Sequence, residues 1–226
     1  AFGINFTSVD ASVLPTSAQA RQVADTIAAD FPEDRSQPNF LAIQAPDSPE
    51  AGEALAAYAD DLEALPGVQL VTPPAVVGDG TWRIDVFATE AGLSQVGQDL
   101  VGDIRSTPAP FPVEVGGLAA SFVDQKSSLG AHLPWAILVV ASTTIIALFV
   151  MTGSVVLPVK AVIMNILTLA STLGILVWVF QDGRLEGLLN YDSVGALDLT
   201  QPILLGAMAF GLSTDYAVFL LSRIKE

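Results

Sequence analysis

The sequence has no cysteine and a single histidine, His132. The first absence excludes disulfides, redox dithiols and thiolate metal sites. The second leaves too little imidazole for a histidine cage, and a Ser hydrolase with His132 as its one candidate base is not expected. Cations are scarce as well, with 9 Lys and Arg against 24 Asp and Glu and a formal net charge of -15. Phosphate recognition needs a basic face, so no nucleic acid partner is expected. No G-x-x-x-x-G-K-[ST] occurs, so ATP hydrolysis is unsupported. "GLSTD" (211–215) opens like a nucleophile elbow but lacks the second Gly and falls within a helical pattern. No enzyme reading remains, and neither a cofactor nor a metal is expected. Asp60, Asp61 and Glu63 share one helical stretch after Tyr58 and read as a solvated face.

What is abundant is apolar: 51% of the residues are hydrophobic and the mean hydropathy is +0.55. The charges are unevenly placed. Residues 1–130 hold 18 acids and 5 bases, and residues 131–226 hold 6 and 4, so the net charges are -13 and -2. That asymmetry predicts two parts, an acidic soluble domain over 1–130 and a membrane region over 131–226. Between Lys126 and Lys160 lie 33 uncharged residues, between Lys160 and Asp182 another 21, and between Asp198 and Arg223 24 in which Asp215 is the only charge. About 20 apolar residues cross a bilayer, so three spans are expected, at about 133–153, 160–181 and 199–222. The Lys160 turn and the "SRIKE" end are basic, whereas "DGRLEGLLNYDSVGALD" has four acids and one Arg. By the positive-inside tendency, Lys160 and the C-terminus face the cytoplasm, and residues 1–130 and 182–198 lie outside.

In the soluble part, "NFLAIQA" (39–45) reads as a strand, and Ser48, Pro49 and Glu50 supply an N-cap, a first-turn proline and an acid for a helix ended by Pro66 and Gly67. "VQLVT" (68–72), a Pro-Pro and Gly-Asp-Gly turn region, and "TWRIDVFAT" (81–89) follow. Then come a helix over "GLSQVGQDLVGDIR" and a strand at "FPVEVGG". The order β-α-β-β-α-β matches a ferredoxin-like α+β arrangement. Trp82, Phe87 and Phe111 read as sheet packing. Another strand near "AFGINFTSV" and a helix over "SAQARQVADTIAADF" precede this unit, and Gly116–Ser128 lead into the first span as a helix. The chain opens without Met, a charged n-region or an apolar h-region and closes three residues after Arg223, so it is expected to be a piece of a longer polypeptide.

Asp215 is the residue that asks for a function. It lies about 12 Å of helix from the cytoplasmic end, too deep for a short carboxylate to reach water. Ala207, Gly211 and Asp215 recur every four residues, with Ser222 two turns further on. Small residues allow close helix approach, which places the acid at a helix-helix seam rather than toward lipid. Desolvation favours its neutral, protonated form, so it can take up and release protons as its partners change. Tyr216 points about 100° round the helix and is aimed at an acid on another helix. Asn165, Thr168 and Thr172 on the second span read as interhelical hydrogen bonding, with a proton or water path as the alternative, and Ser142, Thr143 and Thr144 on the first as bonding back to helix carbonyls. His132 reads as a solvated boundary residue.

"LLGAMAFGLSTDYAVFLLSRIKE" (204–226) resembles the Asp-Tyr transmembrane motif of the MMPL (mycobacterial membrane protein large) branch of the resistance-nodulation-division superfamily. "WVFQDGRLEGLL" and "LDLTQPILL" are similar to the loop before it. The resemblance is dense over 176–226, thinner in the first two spans, and rests on the β-α-β-β-α-β order in residues 1–130. It implies part of a twelve-span exporter in a bacterial cell membrane, driven by protons and handling lipids or other hydrophobic molecules. The chain resembles the second extracytoplasmic porter domain plus spans eight, nine and ten. Asp215 and Tyr216 match the family's span-ten pair, which faces a second Asp-Tyr pair on a span this chain does not contain. Phe219, one turn on, falls beside that relay by the same resemblance. The implied partners are protons, membrane lipid, the hydrophobic substrate and the other half of the transporter. The rival readings are a related drug, hopanoid or translocation-assisting pump, and a lipid-binding, sterol-sensing-like receptor or scaffold without proton flux.

Overall fold

The computed structural model describes residues 3–8, 11–30, 37–90, 93–189 and 191–225, with the backbone alone for Ser12, Ala28 and residues 217–225. In chain order the elements are β1 (Phe6–Thr7), α1 (Gln19–Asp30), β2 (Asn39–Gln44), α2 (Pro49–Glu63), β3 (Val68–Val71), β4 (Ala75–Gly78) and β5 (Thr81–Ala88). These are followed by α3 (Gln95–Ser106), β6 (Val113–Gly116), α4 (Leu118–Thr152), α5 (Val156–Leu176), α6 (Glu186–Leu189), β7 (Leu197–Asp198) and α7 (Gln201–Lys225). The chain divides into two compact units, a sheet unit over Val23–Ser128 and a helical unit that joins residues 1–22 to 129–226.

In the sheet unit the strands run β3-β5-β2-β6, every pair antiparallel. Strand β2 alternates buried and exposed residues along its whole length, which is the period-2 pattern of a sheet covered on one face. Its buried Leu41 and Ile43 pack with Ile84 and Val86 of β5, Leu55 and Leu62 of α2, and Leu100 and Ile104 of α3. The other face carries Phe40, with the Arg83 guanidinium 4.6 Å over its ring, and the Arg83–Asp85 ion pair.

Helix α2 begins as its sequence dictates: the Ser48 hydroxyl accepts from the Ala51 N–H at 3.3 Å and Pro49 occupies the first turn. Trp82 and Phe87 are buried, and Phe111 packs against the core. Asp60, Asp61 and Glu63 are exposed on α2.

Two details differ from the sequence expectation. The Pro-Pro and Gly-Asp-Gly region is not turn throughout, because Ala75–Gly78 pairs with β5 as a hairpin closed by Asp79 and Gly80, the latter at φ +68. Residues expected to belong to the soluble domain also cluster elsewhere. Strand β1 pairs in parallel with β7, and Gln181 holds the same segment by accepting from the Asn5 N–H and donating to the Gly3 carbonyl.

In the helical unit, two helical stretches among the described residues are long and apolar enough to cross a membrane, Leu118–Thr152 and Val156–Gln181. Most of their apolar surface is uncovered by the chain itself; Trp135 is 69% and Val150 76% exposed. Helix α4 ends at Thr152, where Gly153 takes φ +69 and donates its N–H to the Phe149 carbonyl. Helix α5 starts at Val156, four residues before the expected span, because Pro158 falls in its first turn, where a missing N–H costs no helical bond. Its last residues leave the α-helical path for a π-helical turn over Val177–Gln181.

Candidate functional site

Helix α7 carries the sequence-predicted site. Its start is fixed by Asp198, whose carboxylate accepts from the Thr200 N–H at 2.9 Å and the Gln201 N–H at 3.2 Å. From there it runs 25 residues, about 37 Å. Asp215 sits about 21 Å from one end and about 15 Å from the other, so its mid-helix position follows from element length alone.

The contact of α7 with α5 is polar at one point. Asn165, 6% exposed, donates its Nδ2–H to Thr214 Oγ1 at 3.3 Å and accepts a hydrogen bond from the Ser213 hydroxyl at Oδ1. The Thr214 hydroxyl in turn donates a hydrogen bond to the Phe210 carbonyl at 2.8 Å. Every member of the chain is satisfied, as a buried polar cluster must be.

Asp215 is not in that seam. At about 100° per residue, the directions of Ser213 and Thr214 average about 150° away from it. The acid instead shares a face with Leu204, Met208 and Leu212, each more than half exposed, and with exposed Ala207 and Gly211. Asp215 itself is exposed and Tyr216 is 73% exposed. The small-residue stripe and the acid therefore coincide on one apolar face, and α5 packs on the opposite one. The side chains of Phe219 and Ser222, expected to support the relay, lie outside the described residues.

The polar residues of the other helices bond as helix residues do. Thr143 and Thr144 bond back to the Val139 and Val140 carbonyls, and Thr168 and Thr172 to those of Met164 and Thr168. Asn165 was legible as a source of interhelical bonding, but Ser213 and Thr214 were not singled out as its partners. The available signal was a lone amide in one apolar run and adjacent hydroxyls in another. His132 is exposed. Among the described residues, no group of three or more His, Cys, Asp or Glu is placed to hold a metal ion.

Comparison with known proteins assigns the family. The model of the MMPL family matches residues 12–226. A Streptomyces coelicolor protein described by name as a membrane protein is 37% identical over 224 residues, covering 99% of this chain and 30% of its own length. The trehalose monomycolate exporter of Mycobacterium tuberculosis is 46% identical over 121 residues, 53% of this chain and 12% of that protein. The heme uptake protein of the same organism is 32% identical over 184 residues, 79% of this chain and 19% of that protein. The chain thus spans under a third of the length of these relatives. With the match running through the sheet unit and all three long helices, the chain belongs to the MMPL family.

Proposed function

We propose that the full-length protein is a proton-driven membrane transporter of lipids or other hydrophobic molecules, and that Asp215 and Tyr216 form half of its proton relay. The observation that carries this reading is a carboxyl at mid-helix, on an apolar, small-residue face turned away from α5. A charge held in hydrocarbon costs at least a few kcal/mol, so such a group is kept where protonation does work or where a partner compensates it. The compensating partner is a further span bearing a second Asp-Tyr pair, brought close by Ala207 and Gly211 and flanked by Phe219 and Ser222 of α7. Two relatives named for moving trehalose monomycolate and heme support a hydrophobic cargo.

In this reading residues 133–153, 160–181 and 199–222 are three spans, with the C-terminus and Lys160 cytoplasmic. The sheet unit is an extracytoplasmic ferredoxin-like porter domain, supported by the β3-β5-β2-β6 order within a β-α-β-β-α-β sequence. Protonation of Asp215 removes a charge from its seam, alters pairing with the opposing Tyr and Asp, and shifts how the membrane halves pack; the porter domains respond. One proton moving through 100 mV releases about 2.3 kcal/mol, so the concentration gradient contributes to coupling as well.

The test is Asp215→Asn in the full-length protein, scored for lipid export under an imposed proton gradient at matched expression. Export should be abolished, and Tyr216→Phe should weaken it. Wild-type, gradient-dependent export by Asp215→Asn overturns the reading, and lipid binding without proton flux replaces it with a receptor role.

A further inference from the structure

We propose that Asn165 is a positioning residue for the proton site, locking the rotation of α7 on α5 through Ser213 and Thr214 so that Asp215 faces away from α5; this rests on the relay reading above. Asn165 is the only amide side chain on α5, and both of its polar groups are spent on α7. One hydrogen bond between two helices is a pivot, about which either can turn. Two bonds to successive residues span about 100° of the α7 circumference, which fixes azimuth as well as separation. The two bonded residues immediately precede Asp215. A turn of α7 large enough to bring the carboxyl toward α5 therefore breaks both bonds. Among the described side chains, half-buried Gly206 and Phe210 lie on the same side of α7 as that pair, and neither brings a directional bond to another helix.

The ionisable groups around Asp215 are few. On α5 there is only Lys160, about 140° round that helix from Asn165 and so off the α7 side. Strand β7 contributes Asp198, just before the start of α7, whose first residue lies about 21 Å of helix from Asp215. On α7 itself are Tyr216 and, in the last turn, Arg223 and Lys225.

The clamp can be removed without stranding a polar group. In Asn165→Leu, Thr214 keeps its bond to the Phe210 carbonyl and Ser213 has the Ala209 carbonyl four residues back. The complementary variant, Ser213→Ala/Thr214→Val, removes the clamp from the α7 side and leaves the Asn165 amide without these two partners. The readout is the pH dependence of Asp215 modification by dicyclohexylcarbodiimide, which reacts with protonated carboxyls in apolar surroundings, measured by mass spectrometry on the full-length protein in liposomes. This needs no knowledge of the substrate. Each variant should move the labelling midpoint by about half a pH unit or more, roughly threefold in proton affinity. The combined variant should move it no further, since all three residues form one device. Lost stability alone lowers the yield of folded protein and leaves the midpoint in place. Wild-type midpoints in both folded variants overturn the positioning role and leave the relay standing; no labelling of wild-type Asp215 at any pH overturns both.

Discussion

Arg105 and Asp124 form a two-pronged ion pair at 2.6 and 2.9 Å between α3 and the first turns of α4. The hydrogen bonds from Arg105 hold the Asp124 carboxyl below its ordinary value, and the same bonds raise the guanidinium. A depressed carboxylate stabilises the fold above its unfolded value of about 4 and loses that contribution as pH falls through the folded value. The Asp124 side chain is 60% exposed, so the effect is small. Asp124→Asn should leave neutral-pH unfolding nearly unchanged and flatten the loss of stability below about pH 4, as read by denaturant titration across pH. The Ser48 cap has the larger effect, because its loss leaves an N–H of α2 without a partner. Ser48→Ala should cost about 1 kcal/mol in the same titration, and Ser48→Asp should restore most of it.

Among elements, the junction between β6 and α4 is the most constrained. Gly117 takes φ +118, and a Cβ there would stand 2.7 Å from the Pro38 carbonyl oxygen. Both the conformation and the space reject a side chain. Gly117→Ala should therefore destabilise the sheet unit by more than about 1 kcal/mol, measured as a lowered midpoint of thermal unfolding. Elements marked by strong local chemistry were legible in the sequence: α2 from Ser-Pro-Glu, β2 as a short apolar run, β5 from alternation, and the apolar part of α4 from an uncharged run. Strand β4 was not, because its edge pairing with β5 is a tertiary effect and Pro73 and Pro74 argue for a turn. The π-helical turn at Val177–Gln181 also has no local signature. It forms where the backbone is tied outward, with the Tyr191 hydroxyl on the Val179 carbonyl and the Ser193 hydroxyl on that of Phe180.

At the scale of the whole molecule, the mid-helix position of Asp215 could be read from charge spacing, because helix length follows from residue count. Its orientation needed the structure, since only the Asn165 bonds reveal which face of α7 meets α5. Under the proposed reading the other face is covered by a further span of the full-length protein, which Ala207 and Gly211 let approach closely. This chain has no cysteine, so single cysteines introduced into it report the proposed topology once any cysteine elsewhere in the full-length protein has been replaced. Single substitutions Gln69→Cys and Val194→Cys in the full-length protein should react with a membrane-impermeant maleimide added outside intact cells. Val155→Cys should react only after permeabilisation, and the reverse pattern would invert the assignment of sides.

The most direct measurement is of the carboxyl itself. Infrared difference spectra of the full-length protein in liposomes, taken across pH with Asp215→Asn as reference, record the carbonyl stretch of a protonated carboxylic acid. The expected result is a band that grows as pH falls within the range where transport runs and is missing from the variant. Spectra of the two proteins that superimpose at every pH would contradict a proton carried by Asp215.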